Sequence, residues 1–391
     1  MSEKRSYDIV LFGATGFTGG LTASYLATNA PAGLTWALAG RSQEKLEATR
    51  ERLKAIDPRH GQIALLKADS SDPSSLRAVA DSAKVVITTV GPYLKYGQAL
   101  VAACAEAGTD YVDLTGEPEF VDWMWAEHHE TAERSGARLV HCCGFDSIPH
   151  DLGAYFTVKQ LPEGAPLKVE GFVRAGGTFS GGTFHSAVTQ FSRARSLAKA
   201  AKKRRNREQR PAGRKISGVK SGLRRVEGIK GWAAPMPTID PQIVLRSARG
   251  LDRYGPDFSY GHNVVLPNPA AAVGLGAGVA GLFALAQLAP TRNLLLKLKD
   301  AGDGPSEEDR AKAWFKVRFI GEGGGKRVVT EVSGGDPGYG ETAKMLAESA
   351  LCLALDDLPE SAGQVTTAQA MGDALTARLQ AAGIGFEVIE G

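Results

Sequence analysis

The sequence predicts an α/β fold in which a doubly wound parallel sheet of the Rossmann type is followed by a second domain. A short apolar segment at residues 8–12 runs directly into a glycine-rich turn. Further apolar segments then alternate with amphipathic stretches such as residues 98–107 and 120–135, which is the pattern of a parallel sheet covered by helices on both faces. The chain also has 391 residues, more than one hydrophobic core usually holds.

The glycine-rich turn predicts a dinucleotide site. Glycine at Gly13 allows a tight turn after the first strand, Gly16 allows the backbone to approach a pyrophosphate, and Gly19 allows the following helix to pack closely. The N-terminus of that helix would attract the phosphates. The alternative is a glycine-rich surface loop. The cofactor residues predicted in this turn are Gly13, Thr15, Gly16, Phe17, Thr18 and Gly19.

The end of the second predicted strand, residues 34–39, indicates which dinucleotide is bound. An NAD site usually has Asp or Glu here, whereas arginine suits the 2′-phosphate of NADP. This chain has Arg41, with Ser42 beside it and Lys45 one turn into the next helix. A guanidinium binds phosphate in a bidentate manner. The sequence therefore predicts NADP, the alternative being an exposed arginine without a ligand.

The later strands place further residues at the same edge of the sheet. We predict strands at residues 63–66, 85–90, 111–114 and 138–142. Ligands of such sheets bind beyond the carboxyl ends of the strands. That edge would therefore carry Asp69, Gly91, Pro92 and Tyr93, together with residues 116–118.

The basic residues are concentrated in one segment. Residues 193–230 contain fifteen Lys or Arg and only two Glu, within a chain of net charge +3. Such a segment attracts nucleic acid, an anionic membrane or an acidic protein. No aromatic residue lies among residues 199–225, which argues against nucleic acid because single strands stack on aromatic side chains. A solvated helix without a partner is the other alternative.

Residues 262–291 contain no Asp, Glu, Lys or Arg. The length approaches that of a membrane-spanning helix, but the many glycines and alanines and the flanking prolines make a poor span. Three interpretations of residues 264–288 remain open: a buried helix in a close interface, one wall of an apolar substrate tunnel, or a surface that enters a membrane.

The four cysteines lack the spacing of a zinc site, and the N-terminus lacks an apolar leader. We therefore predict no metal site and a cytoplasmic protein with reduced cysteines, with peripheral membrane association as an option. We also expect a homodimer.

Several motifs together resemble the saccharopine dehydrogenase-like oxidoreductases, in particular the bacterial trans-acting enoyl reductases of lipid and polyketide biosynthesis. The most specific motif is CGFDSIPHDLG at residues 143–153. The others are GATGFTG at 13–19, VGPYLKYG at 90–97, YVDLTGEP at 111–118, SGGT at 180–183 and DPGYGETAKM at 336–345. One departure is the lack of a Thr-Pro pair at residues 365–368, which leaves the start of the last helix in doubt.

The resemblance implies an NADP-dependent enzyme that reduces an enoyl group of a small-molecule or carrier-bound acyl substrate. It implies a Rossmann domain at residues 1–148, an α+β domain built on an antiparallel sheet at 149–335, and C-terminal helices at 336–391 that return to the Rossmann domain. Strand patterns at 168–174, 314–321 and 326–333 agree with the second domain, since glycines 323–325 would join the last two in a hairpin. Residues 339–355 and 367–382 have helical patterns.

The proton donor is selected from residues near these motifs. The candidates are Tyr93, Tyr96, Asp146 and His150, with Ser147 beside them. Tyr93 could instead only stack on the cofactor. His150 could be a helix-end hydrogen bonder, and Asp146 a cap of the helix that begins at Pro149.

Three other functions remain as alternatives. A carbonyl reductase of the short-chain dehydrogenase type would use Tyr155 and Lys159, which have the required spacing. A saccharopine dehydrogenase would join two amino acids by a C–N bond. A lipid-surface protein would bind NADP without catalysis.

Overall fold

The computed structural model describes residues 5–176, 188–209, 211–296 and 304–391. The motif at residues 180–183 lies outside them. The chain forms two units, one of residues 1–145 and 338–379 and the other of residues 146–337 and 380–391.

The first unit is built on a parallel sheet of seven strands in the order β13-β6-β5-β4-β1-β2-β3. Its early strands are β1 (Tyr7–Phe12), β2 (Trp36–Gly40), β3 (Ala64–Lys67), β4 (Ala83–Thr88), β5 (Asp110–Asp113) and β6 (Arg138–Val140). Its early helices are Phe17–Asn29, Gln43–Ile56, Pro73–Ser82, Tyr93–Tyr96, Gln98–Ala107 and Pro118–Ser135, with a 3₁₀ helix at Pro58–Gln62. The apolar residues of the central strands are buried, which explains why these strands read as continuous apolar runs. The predicted Rossmann sheet is thereby confirmed.

The second unit is built on a sheet in the order β14-β12-β11-β7-β10-β8, with β9 paired to β10. Its strands before the chain returns are β7 (Leu167–Gly176), β8 (Lys215–Gly218), β9 (Trp232–Pro235), β10 (Asp257–Leu266), β11 (Trp314–Gly323) and β12 (Lys326–Gly334). Its described helices are Ile148–Lys159, Ala194–Arg207, Asp240–Gly250, Pro269–Gln287, Ala289–Leu295 and Glu307–Lys312, with a 3₁₀ helix at Asp252–Tyr254.

This sheet is mixed, whereas the resemblance implied an antiparallel one. The predicted hairpin of β11 and β12 is present, and Gly324 and Gly325 turn it with positive φ angles. However, β10 pairs in parallel with both β7 and β8. The long connections between these strands permit parallel pairing, which a short hairpin cannot provide.

The C-terminal segment divides between the two units. Helix Gly340–Leu355, β13 (Gly363–Val365) and helices Thr367–Ala370 and Gly372–Ala381 follow one another, and β13 extends the parallel sheet beside β6. The last strand, β14 (Gly385–Glu390), instead pairs with β12 of the second sheet. Residues 380–391 therefore do not belong to the Rossmann unit, in contrast to the predicted boundary, because their strand completes the other sheet.

The helix predicted at residues 367–382 is two shorter helices. Thr366 and Gln369 form a capping box at the start of the first, so the doubtful helix start needs no Thr-Pro pair. The two helices separate at Met371, and Gly372, the first residue of the second helix, has a φ of 38°.

Candidate active site

The glycine turn between β1 and the first helix is held by close packing at two of its three glycines. Gly13 has a φ of 92°, and a Cβ there would lie 2.7 Å from Thr89 Oγ1. A Cβ on Gly19 would lie 2.1 Å from the carbonyl oxygen of Gly13, a distance that no side chain tolerates. Both positions therefore require glycine for the fold itself.

Gly16 has no such internal requirement. It is exposed, and a Cβ there would meet only the Gly13 oxygen at 3.5 Å, an ordinary contact distance. It is the N-cap of helix Phe17–Asn29 and has no side chain with which to cap that helix, so no side chain at this position fills the space in front of the helix N-terminus. An exposed cradle of amide groups at a helix N-terminus fits a pyrophosphate. Thr15, Phe17 and Thr18 lie in the same turn, and their contact with the cofactor stays a prediction.

The residues predicted to select NADP lie together after β2. Arg41 is exposed directly after the strand, and Ser42 caps the next helix by accepting a hydrogen bond from the amide of Lys45 at 3.3 Å. Asp69 follows the neighbouring strand β3, and its carboxylate accepts hydrogen bonds from Ser71, which lower its pKa, as Arg41 does to a smaller extent. Two exposed cations at a helix N-terminus are suited to a phosphate monoester.

We expect Arg41→Asp to reverse the preference for NADPH. Loss of a charged hydrogen bond to phosphate weakens binding by about 10- to 100-fold, and a carboxylate would in addition repel the 2′-phosphate. NADH, which lacks that phosphate, should bind almost as before. Fluorescence titrations with both nucleotides measure the ratio, and Arg134→Asp, at an exposed position near the end of a helix of the same unit, is the control. An unchanged ratio would remove Arg41 from the site.

The loop after β4 carries Gly91 and Pro92, both exposed and joined by a cis peptide bond. A carboxylate fixes the helix that follows. The amides of Tyr93 and Leu94 donate to Glu117 at 3.1 and 2.9 Å. Glu117 is buried, and its burial raises its pKa although these two amides oppose the rise. The motifs at residues 90–97 and 111–118 therefore meet through this carboxylate.

Tyr93 does not have the surroundings of a proton donor. It is 4% exposed, and its hydroxyl donates to the carbonyl of Thr88 at 3.1 Å and accepts from the amide of Leu114 at 3.4 Å. Burial, and next the charge of Asp113, raise its pKa well above 10. Its hydroxyl therefore already makes two hydrogen bonds, one to the end of β4 and one to the residue directly after β5. Tyr96 is half-buried, with the ammonium of Lys95 4.9 Å from its ring centroid, and stays a candidate.

We therefore expect Tyr93→Phe to change stability more than catalysis. The variant leaves the buried carbonyl of Thr88 without its donor and the amide of Leu114 without its acceptor, which costs about 1–3 kcal/mol of the free energy of unfolding. Turnover at saturating NADPH should stay within about threefold of wild type, since general acids contribute about 100-fold or more. Thermal unfolding and steady-state kinetics test both statements. A hundredfold loss of kcat at unchanged stability would make Tyr93 the acid after all.

The second unit contains a buried cluster of ionisable side chains. His150 stands on helix Ile148–Lys159, Asp240 begins helix Asp240–Gly250, and His262 lies on β10. Asp240 bridges the two imidazoles, with 3.1 Å from Oδ1 to His150 Nδ1 and 3.3 Å from Oδ2 to His262 Nε2. The hydroxyl of Tyr260 lies 3.2 Å from His262 Nδ1. All four side chains are buried.

Close packing fixes the helix that carries His150, and the members of the cluster shift one another's pKa values. A Cβ on Gly153, one turn beyond His150, would lie 2.3 Å from the ring of Phe319 on β11, so the helix rests directly on the sheet. Burial acts to raise the pKa of Asp240, but the two histidines outweigh it and hold that pKa well below 3.8. Burial lowers the pKa of His262.

Asp146 lies just before helix Ile148–Lys159, and the pKa of its carboxyl group is shifted in the opposite direction to that of Asp240. Burial, and next the nearby Asp240 charge, raise its pKa to about 7, although His150 acts in the opposite direction. It does not cap the helix, as the structural alternative required, because the N-cap is Ser147 and no side chain makes a capping hydrogen bond there. A carboxyl group with a pKa near 7 is suited to general acid catalysis at neutral pH.

His150, Asp240 and His262 also have the donor types of a cation site, and their nearest donor atoms all lie within 4.8 Å of one another. The sequence predicted no metal and missed Asp240 and His262 entirely, since they lie about ninety and more residues beyond the motif that contains His150. No local spacing could have joined them.

Tyr155 and Lys159, the pair of the short-chain dehydrogenase alternative, lie on helix Ile148–Lys159 of the second unit. The Lys159 ammonium lies 5.7 Å from the Tyr155 ring centroid. This pair therefore belongs to a different unit from the glycine turn.

A depression of about 1130 Å³ lies at the opposite edge of the parallel sheet. Its lining includes Asp8 and Lys84, which form an ion pair of 2.7 Å, and Asp110 and Arg138, which form another. Ligands of such sheets bind at the carboxyl edge, so we assign no ligand to it.

The sequence matches one protein family model and resembles two mycobacterial proteins over nearly its whole length. Residues 9–140 match the family model of the saccharopine dehydrogenase NADP-binding domain. A Mycobacterium tuberculosis protein assigned to the trans-acting enoyl reductases is 39% identical over 418 residues, covering 98% of this chain and 97% of its own. The trans-acting enoyl reductase of Mycobacterium ulcerans is 35% identical over 422 residues, covering 98% of each chain.

Among solved structures, the saccharopine dehydrogenase (L-Glu forming) of Saccharomyces cerevisiae superimposes with a TM-score of 0.58 at 12% identity, covering 98% of this chain and 100% of the other. At this identity the likeness concerns the fold alone. The sequence matches extend over both units and include the glycine turn described above. The chain is therefore a member of the trans-acting enoyl reductase family, with an NADP-binding domain of the saccharopine dehydrogenase type.

Proposed function

We propose that this protein uses NADPH to reduce the carbon–carbon double bond of a 2-enoyl thioester in lipid or polyketide synthesis. The observation that carries this proposal is the identity of 35–39%, over nearly the whole length, to relatives named trans-acting enoyl reductases. The wording of that name suggests an acyl substrate presented by another protein.

Different residues of this chain would bind the cofactor, donate the proton and position the proton donor in the proposed reaction. When bound, the dihydronicotinamide supplies a hydride to the β-carbon of the enoyl group. The glycine turn and Arg41 bind and orient the cofactor. Asp146 holds a proton near neutral pH and would give it to the α-carbon of the resulting enolate, so that one hydride and one proton complete the saturated product. His150, held by Asp240, would position that carboxyl and tune its acidity.

The function is tested by following NADPH oxidation at 340 nm with 2-enoyl thioesters of short and long chains. We expect oxidation with both, and a product heavier by two hydrogens in the mass spectrum. NADPH labelled with deuterium at C4 should place one deuterium on the β-carbon. The saturated thioester is the control for background oxidation.

Two further assays separate the alternatives. Turnover of a ketone but of no enoyl thioester would favour a carbonyl reductase, and turnover of lysine with 2-oxoglutarate would favour saccharopine chemistry. Tight NADPH binding without turnover of any of these compounds would favour a lipid-surface protein and would overturn the proposal.

A further inference from the structure

The most exposed apolar element of the described residues is the helix Pro269–Gln287, here termed the apolar helix. Only Ala286 on it is buried, and Val273 is 70% exposed. Large side chains are exposed along its length, namely Val273, Leu275, Val279, Phe283 and Leu285. A Cβ added at Gly274, Gly276, Gly278 or Gly281 would meet nothing within 4 Å. The helix thus projects from its sheet with almost its whole circumference open.

The apolar helix has no polar face. Residues 262–291 contain no charged side chain, whereas a helix on the surface of a soluble protein has charged residues on its outer face. An exposed apolar patch of this extent marks a surface that contacts another protein, a membrane or an apolar ligand. Of the three interpretations from the sequence, the exposed side chains disagree with a helix buried within its own unit, and a tunnel wall would have to be covered as well.

A basic helix lies beside it in the same unit. Helix Ala194–Arg207, here termed the basic helix, contains seven Lys or Arg and no acidic residue. Phe191, just before it, packs edge-on against Phe283 of the apolar helix at 5.8 Å between ring centroids. Gln287 Nε2 donates to the Phe191 carbonyl at 2.7 Å. The positive charge therefore adjoins the C-terminal half of the apolar helix.

These two features together favour a lipid bilayer over a second copy of the chain. A second copy would cover one face of the apolar helix and leave the others in water, whereas acyl chains surround an inserted helix on all sides. A basic neighbour adds nothing to an apolar dimer contact, but it attracts the anionic headgroups of a membrane. Membrane-surface anchors bind through the same two contributions, buried apolar area and attraction to anionic lipids.

The topology restricts how the apolar helix enters the bilayer. It is the one described helix that is long and apolar enough to cross, at about 28 Å against about 30 Å of hydrocarbon. Yet β10 before it and β11 after it both pair with β7 in one sheet. The chain must return to the side from which it came, so the helix inserts from one face and does not span.

We infer that the apolar helix and the basic helix form a docking surface for anionic lipid bilayers. The apolar helix would lie among the acyl chains at the headgroup boundary, and the exposed Lys199, Lys202 and Arg205 would contact headgroups. This inference is independent of the proposed reaction, because it rests on neither the cofactor turn nor the buried cluster.

Flotation with vesicles of phosphatidylcholine containing phosphatidylglycerol tests the inference on the full chain. We expect the wild-type protein to float with anionic vesicles, to float less as salt is raised, and to stay at the bottom with phosphatidylcholine alone. The triple variant Lys199→Gln, Lys202→Gln, Arg205→Gln should lower the partition coefficient about 100-fold. Arg204 is left unchanged because it is buried and ion-paired with Glu208.

The apolar contribution is tested by Val273→Gln with Leu285→Gln, which should also lower the partition coefficient about 100-fold. Both positions are exposed, so folding should not change. The matched controls are Ile56→Gln with Leu355→Gln, two exposed apolar positions of the first unit, and Lys54→Gln with Arg134→Gln and Lys326→Gln for charge. NADPH binding should be equal in all of these proteins.

Four outcomes would overturn the inference. The protein would fail to float with any anionic vesicle, or the control variants would lose flotation as much as the test variants. Alternatively, a dimer in solution that Val273→Gln with Leu285→Gln dissociates, without any flotation, would assign the surface to a second copy. A loss of binding to an acyl carrier protein alone, again without flotation, would assign the basic helix to that partner.

Discussion

Gly16→Val should abolish NADPH binding and leave the fold intact. The branched side chain would project from the exposed cradle at the helix N-terminus into the space that a pyrophosphate requires. Inside the protein it meets little, because the nearest atom to a Cβ there is 3.5 Å away. We expect affinity to fall by at least about 100-fold, equivalent to roughly 3 kcal/mol, with a melting temperature close to that of the wild type.

Two variants make this experiment decisive. Gly19→Ala places its Cβ 2.1 Å from the Gly13 oxygen, so it should lose both stability and cofactor binding. Gly222→Val, at an open position of the second unit, should lose neither. Nucleotide titration and thermal unfolding on all three proteins separate steric exclusion of the cofactor from damage to the turn. NADPH affinity retained in Gly16→Val would remove this turn from the cofactor site.

The cofactor half of the site could be predicted because it is local in sequence. Gly13, Gly16 and Gly19 lie within seven residues, and Arg41 follows the next strand directly. In a parallel sheet the carboxyl ends of adjacent strands meet at one edge. A strand pattern and a short motif were therefore enough to place these residues.

The buried cluster could not be predicted because its members meet only through the second sheet. Strand β10 brings His262 next to His150, and the start of a separate helix brings Asp240 between them. The strands β8, β9 and β14 escaped prediction for a related reason. They are short edge or near-edge strands whose pairing depends on long-range contacts rather than on local alternation.

Tyr93 shows the limit of inference from a motif. The sequence placed it at the correct edge of the sheet, but residue type alone could not show that its hydroxyl bridges Thr88 and Leu114. The same is true of Ser42, whose oxygen caps a helix. Side chains at a ligand-binding edge also hold that edge together.

Asp146→Asn should lower kcat by about 100- to 10,000-fold, the usual contribution of a general acid. Asparagine retains the shape of the carboxyl group but has no acidic proton to give. NADPH affinity should not change, because Asp146 is not one of the residues that we propose to bind the cofactor. Asp252→Asn, at a fully exposed carboxylate of the same unit, is the matched control and should retain wild-type kinetics.

The pH dependence gives a second, independent readout. Burial raises the pKa of Asp146 from 3.8 to about 7, so the carboxyl is protonated below pH 7 and loses its proton above it. Activity of the wild type should therefore be full below about pH 6 and fall as pH rises through 7. The residual activity of Asp146→Asn should lack this descending limb.

The stability of the wild-type protein should also fall as pH rises through about 7. Comparing stability with activity separates a catalytic role of Asp146 from a structural one. A carboxyl whose pKa is raised by folding stabilises the folded state fully below its unfolded pKa of 3.8, and that stabilisation is lost as pH rises through about 7. The amide of Asp146→Asn has no charge to bury, so the variant should be the more stable protein at pH 8 and yet the less active one. A variant that is less stable and equally active would make Asp146 a structural residue. A descending limb that persists in the variant would instead assign the proton to another member of the cluster, with His150 the next to be replaced.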